Sequence, residues 1–144
     1  MQVTIRPAEP GDYEAVTDIA AAEDAEQSPV GNGRADFEAL RQSPDHRVWV
    51  ADAEGAVVGW LHAFLVRRVG HPPLVEIEGL TVSERFRRVG IGSRLIAEAN
   101  AWAREQNLDI QMHCRPGSDY SHDFLRHHGY HFLKQQQVFE GNHM

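Results

Sequence analysis

The sequence holds a single cysteine, Cys114, so an internal disulfide is excluded. Cys114 alternates with Leu108, Ile110 and Met112, where a buried structural thiol is the expected reading and a nucleophile the competing one. Also lacking is any run of the ~20 apolar residues that carry a helix across a bilayer. Basic residues are outnumbered: 14 Lys and Arg stand against 21 Asp and Glu, for a net charge of −7. That balance argues against general nucleic-acid binding, which depends on neutralising phosphates with Lys and Arg. It suits a cationic substrate, although solubility accounts for it equally well. The opening MQVTIR alternates polar and apolar residues and has neither the basic region nor the apolar stretch of a secretory leader. A cytoplasmic location is therefore expected. No internal repeat occurs, and the one biased run, Gln135 to Gln137, is too short to carry meaning.

What is present fits one domain spanning residues 1–144, because a chain of this length buries roughly two-thirds of its unfolded surface. Val3 and Ile5 alternate in a first strand, broken by residues 7–11. Tyr13, Val16, Ile19 and Ala20 then repeat at helical spacing, with Asp12 near the helix start. Residues 28–33 (SPVGNG) read as a loop, and Phe37 and Leu40 mark a short second helix. Residues 47–51 and 57–66 form a hairpin about a turn at 53–55, and a turn at 70–73 leads into a strand over 74–82. Over residues 90–106, Ile91, Leu95, Ala99 and Trp102 line one face of an amphipathic helix, away from Arg94, Glu98 and Glu105. Residues 108–114 alternate as a strand, Ser118 caps a helix to His128 that stops at Gly129, and residues 130–139 read as a last strand. The expected order is β-α-α-β-β-β-α-β-α-β.

Between the 74–82 strand and the amphipathic helix lies Glu84-Arg-Phe-Arg-Arg-Val-Gly-Ile-Gly-Ser93. Backbone N–H groups and a helix N-terminus converge there with little side-chain bulk, which makes an anion site. A plain packing turn is the competing reading of an isolated Gly-x-Gly, but Arg85, Arg87 and Arg88 beside it favour an anion. A Walker loop needs Gly-Lys-Ser/Thr, and a Rossmann turn needs a third glycine where Leu95 stands. The acidic residue a Rossmann fold wants at the end of the next strand is also misplaced, since Asp109 opens that strand.

Arg87-x-x-Gly90-x-Gly92, preceded by Glu78-Gly-Leu-Thr-Val82 and followed by Ser93-Arg-Leu-Ile96, resembles the acyl-CoA motif of the GNAT N-acetyltransferase superfamily. Ile5-Arg-Pro-Ala8 with Asp12 is similar to the family's first strand and helix, and Phe124-x-x-x-x-Gly129-Tyr130 to its closing segment. The resemblance implies an α/β fold with a mixed, largely antiparallel, splayed sheet of about six or seven strands and about four helices. It further implies that acetyl-CoA is the cofactor. Main-chain groups of Leu80, Thr81 and Val82 would pair with its pantetheine arm. Amides of Arg88, Val89, Gly90, Ile91, Gly92 and Ser93 would hold its pyrophosphate, with Arg87 and Arg88 adding charge. The acetyl group would enter a gap between the 74–82 and 108–114 strands. The resemblance also admits a homodimer in which the final strand joins a partner.

Acetyl transfer to an amine requires a base, because an aliphatic ammonium has a pKa of about 10. Glu76 and Glu78 lie two apart in a strand, on one face if the pairing is regular, and carboxylates are unusual within strands. Either they face solvent, or one of them is the base. The resemblance favours Glu78, acting through water, with a backbone N–H near Leu80 stabilising the oxyanion. The family's usual general acid, a tyrosine after phenylalanine, is replaced by Leu125. Tyr120 and His122 are possible substitutes, and His122 is ranked first; a surface histidine and unassisted thiolate release form the competing account.

Nine histidines invite a metal, but His127, His128 and His131 flank a helix end and no His-Glu-x-x-His occurs. None is expected. Trp60, His62 and Phe64 share a strand face, as an acceptor pocket or as an ordinary half-buried aromatic face. The expected activity is N-acetyl transfer to a primary amine by direct attack in a ternary complex. The acceptor is a small amine, an aminoglycoside, an amino acid or a protein amine. The alternative is a non-catalytic acyl-CoA sensor or interaction module, which Leu125 makes real.

Overall fold

The computed structural model describes residues 2–23, 33–114 and 119–142. It resolves into two compact units, Met1–His113 and Cys114–Met144. The first contains β1 (Val3–Pro7), a 3-10 turn (Pro10–Asp12), α1 (Tyr13–Glu23), α2 (Gly33–Gln42), β2 (His46–Ala53), β3 (Ala56–Arg68), β4 (His71–Val82), α3 (Ile91–Gln106) and β5 (Ile110–Met112). The sheet runs β1-β2-β3-β4-β5. Its first three pairings are antiparallel, and β5 joins β4 in parallel. The second unit contains α4 (Asp119–His127).

Both faces of the sheet are covered, and the sequence of β2 records it. Val48, Trp49, Val50 and Ala51 are buried without a break, as a strand enclosed on two sides demands. Val48 and Val50 join Ala8, Val16 and Phe37 in a cluster with Tyr13, Leu40 and Trp60, contributed by α1, α2 and the neighbouring strands. On the opposite face Trp49 meets Trp102 of α3 edge to face, with ring centroids 6.3 Å apart. Leu61, Ile77, Leu95 and Ile96 are essentially sealed from solvent, each contributing about 1.5–3 kcal/mol of burial.

Local chemistry fixes the connections. Glu54 and Gly55 both have positive φ, 52° and 99°, the requirement of a tight two-residue hairpin turn. Asp52 Oδ1 accepts the Gly55 N–H at 2.7 Å. At the entry to α1, the buried Asp12 carboxylate accepts two bonds from Arg6, at 2.7 and 3.0 Å, and one from the Glu9 N–H at 2.7 Å. Arg6 Nε also reaches Asp52 at 3.2 Å, tying β1, the α1 entry and β2 together. Helix α3 stops at Asn107, whose φ is 57°, with the Leu108 N–H turned back to Ala103 O.

Three expectations are corrected. Among the described residues the mixed, largely antiparallel sheet has five strands instead of six or seven, and residues 130–139 form no strand. Their sequence has strand propensity, but a strand exists only where a neighbour completes its hydrogen bonds, and no described strand pairs with them. Next, residues 71–73 belong to β4; the prolines precede Val75, where pairing with β5 begins, so their missing N–H groups leave that ladder intact. Finally, the strand expected over 108–114 is limited to Ile110–Met112. Residues 28–32 of the expected loop and the expected cap Ser118 lie outside the described residues.

Candidate functional site

The two edges of β4 differ. On one side, antiparallel pairing with β3 continues to Val82, opposite Gly59. On the other, pairing with β5 ends at Ile77 opposite Met112. Among the described residues, 78–82 are therefore flanked by a strand on one side only, and on the far side of this stretch main-chain groups other than Val82 O, which accepts from Arg87 Nε, are open to a ligand.

The splay begins at a bulge. His62 pairs with Gly79 and Ala63 with Ile77, so Glu78 is an inserted residue with no counterpart on β3. A bulge bends its strand and increases the local twist, and this one lies one residue past Ile77, where pairing with β5 ends. The regular pairing that would set Glu76 and Glu78 on one face is thereby interrupted. Glu78 is exposed, whereas the Glu76 side chain is only 15% exposed and lies 3.3 Å from His113 Nε2.

Beside the bulge, β3 contributes an aromatic surface. Trp60 opposes Thr81, His62 opposes Gly79 and Phe64 opposes Glu76. The Trp60 indole lies over Gly79, so a β-carbon on that glycine would come within 2.5 Å of the ring. From β2, His46 brings its Nδ1 to 2.9 Å from His62 Nε2 and stacks on Phe64 at 5.3 Å between centroids. Burial, with His46 adding to it, pushes His62 down to about 4, so its imidazole is neutral at physiological pH.

The glycine turn follows the open stretch of β4 directly. A 3-10 turn (Glu84–Phe86) leads to Arg87, whose Nε donates to Val82 O at 2.9 Å. Arg88 and Gly90 both adopt left-handed backbone, at φ 66° and 87°, and α3 begins at Ile91 with no side-chain cap. Gly90 at the N-cap offers the first turn of α3 no side-chain acceptor, a helix start of the kind that anions occupy. Arg88, Val89 and Gly90 are exposed, Gly92 and Ser93 half-buried. A β-carbon on Gly90 would meet nothing, so the approach is open. This turn and the free edge of β4 fit an elongated ligand with an anionic centre and an amide-bearing arm.

In the second unit, His122 and Leu125 are half-buried on α4, and the side chain of Tyr120 lies outside the described residues. The helix closes at Gly129, φ 85°, with the Tyr130 N–H donated to Leu125 O at 2.9 Å. Burial raises the Tyr130 phenol to about 12 and also raises Cys114. No group of three or more metal-ligating side chains occurs among the described residues.

Sequence reasoning missed His46, His113 and the bulge. Gly79 within a strand run was a usable signal for the bulge; the histidine contacts depend on register and had none.

A sequence model described as "Acetyltransferase (GNAT) family" matches residues 13–130. An aminoglycoside N(6')-acetyltransferase type 1 from Serratia marcescens is 33% identical over 78 residues, covering 51% of this chain and 53% of that protein. The chain thus matches about half the length of this relative. An aminoglycoside acetyltransferase from an uncultured soil metagenomic sample, solved with sisomicin, superposes with a TM-score of 0.83 at 21% identity, covering 99% of this chain and 97% of that one. An aminoglycoside N-acetyltransferase solved with CoA gives 0.85 at 20%, covering 97% and 95%. At these identities the structural likeness establishes the fold.

Proposed function

The chain belongs to the acetyltransferase (GNAT) family, and from that premise we propose that residues 1–144 act as one N-acetyltransferase domain, moving acetyl from acetyl-CoA to a primary amine. The observation that carries this reading is the one-sided edge of β4 over residues 78–82, running into the uncapped, glycine-bearing start of α3. Leu80, Thr81 and Val82 would bind the amide-bearing arm. The turn from Arg88 to Ser93 would bind the pyrophosphate, with the exposed Arg88 adding charge. Arg87 would add charge as well, while its Nε bond to Val82 O braces the turn against the end of β4.

Bound acetyl-CoA supplies an activated thioester; the chain supplies position and proton management. Glu78, projected by the bulge, accepts the ammonium proton through water, which frees the amine lone pair. A main-chain N–H at or near Leu80 donates to the carbonyl oxygen as it gains charge. His122 would supply the proton that the departing coenzyme A thiolate takes up. The acceptor is a cationic amine. Trp60, His62, Phe64 and Glu76 give its pocket aromatic faces and a carboxylate, and the Serratia relative makes an aminoglycoside the first acceptor to test.

A non-catalytic acyl-CoA sensor is favoured by one observation, Leu125 where the family has tyrosine. Thiol release from acetyl-CoA with aminoglycosides, polyamines, amino acids and peptides separates the two. Turnover with one class supports the enzyme; coenzyme A binding with no thiol release across the panel supports the sensor.

A further inference from the structure

The Glu76 carboxylate is poorly placed for stability. It stands in the middle of β4 with its side chain 15% exposed, and a carboxylate so far out of water loses hydration that a partner must make good. Its neighbours across the sheet, Phe64 on β3 and Gln111 on β5, carry no charge. His62, beyond Phe64, is half-buried and neutral at physiological pH. Among the described residues, the ionisable side chain that reaches Glu76 is His113, with Nε2 3.3 Å from Oε1. His113 is the first residue past β5, and its side chain is 60% exposed. An enclosed carboxylate is thus met by a side chain that is largely free and outside the ladder. A pair with so exposed a member is weak, and the histidine gives way easily.

The contact lies where β4 and β5 part, since their pairing ends at Ile77 and Met112. The reacting nitrogen of an acceptor has to shed its proton near Glu78 and Leu80, whereas an ammonium held by a carboxylate keeps its proton. Glu76 lies two positions back along β4 from Glu78, roughly 6–7 Å. It therefore suits a second, unreactive ammonium on the same molecule.

We infer that His113 is a displaceable stand-in for that second cation, so that an acceptor binds by sending an ammonium to Glu76 in place of the imidazole. His113 then sets specificity by competition, favouring acceptors with at least two cationic centres, which suits a chain of net charge −7. The inference rests on the acceptor pocket proposed above, but it is read from binding and needs no turnover.

The test is calorimetric titration of the full chain, saturated with coenzyme A, with 1,4-diaminobutane, whose two ammonium groups can span that distance. His113→Ala should bind it about two- to fivefold more tightly than the wild type, the scale of an exposed ion pair. His113→Arg, which brings a permanent charge to the same carboxylate, should bind about fivefold more weakly. Glu76→Gln should bind at least about tenfold more weakly, and adding His113→Ala to it should change nothing further. Binding by His113→Ala that is equal to or weaker than the wild type's overturns the inference. A gain that persists alongside Glu76→Gln also overturns it, as does absence of binding to wild type and His113→Ala alike. If one substitution at His113 prevents folding, the direction of the other decides. Binding that follows the cycle in a chain that releases no thiol from acetyl-CoA upholds the competition and counts against acetyl transfer instead.

Discussion

His46 Nδ1 and His62 Nε2 meet at 2.9 Å across β2 and β3, a contact that needs one nitrogen protonated and the other bare. Because His62 is buried, and because His46 adjoins it, His62 is held down at about 4 against an ordinary 6.5. Above about pH 6.5 the ring is neutral in folded and unfolded chain alike, and linkage contributes nothing. As pH falls from 6.5 toward 4, the unfolded chain takes up a proton that the folded chain refuses, and stability drops. Below about 4 the loss is complete. The melting temperature of the wild type should therefore fall more steeply over this window than that of His62→Gln. Equal slopes in the two proteins would remove the pair from the account.

Glu78→Gln tests the proposed base. At pH 7 kcat should fall about 100-fold, within the usual range for general base catalysis. The deficit should shrink toward pH 10, where the amine is increasingly its own free base. A kcat unchanged across the whole profile would refute the assignment.

Gly90→Ala places a side chain at φ 87° in otherwise open space. The backbone strain should cost about 1 kcal/mol without a clash, seen as a modest drop in melting temperature. Distortion of the turn should reduce the stabilisation that coenzyme A gives the fold. A shift by coenzyme A equal to that of the wild type would argue that this turn does not hold the pyrophosphate.

Gly79→Ala drives a β-carbon into the Trp60 ring. It should destabilise the fold by about 1–3 kcal/mol, as overpacking does. Coupling with Trp60→Leu in a double-mutant cycle should recover much of that loss by vacating the space. Strict additivity of the two substitutions would show that the indole is not the obstacle.

Asp12→Ala leaves Arg6 with the Asp52 carboxylate and Pro7 O and should cost about 3 kcal/mol in urea unfolding, the low end for breaking a buried pair, since Arg6 is 26% exposed. Burial raises Asp12, but Arg6 and the Glu9 N–H outweigh it, and its net shift is downward. Its stabilisation is fully present above the ordinary carboxylate value, about 3.9, and is lost as pH falls through the lower folded value. The wild type should show this acid-side loss in calorimetry, and Asp12→Ala should lack it.

By itself the sequence determined the order of elements up to α4 and the glycine turn before α3, because those depend on local periodicity and on backbone freedom at fixed positions. Ile91, Leu95, Ala99 and Trp102 declared the face of α3 that the sheet buries. The family motif was equally local, a run of residues with few other uses. Tertiary structure alone decided which strands meet and where they stop meeting. The bulge at Glu78, the end of β5 pairing at Ile77 and the His46–His62 contact are matters of register, which a single strand cannot encode without its neighbour. The last segment is the same lesson in reverse. Residues 130–139 have the composition of a strand, yet a strand is a relation between two backbones, and composition cannot supply the second.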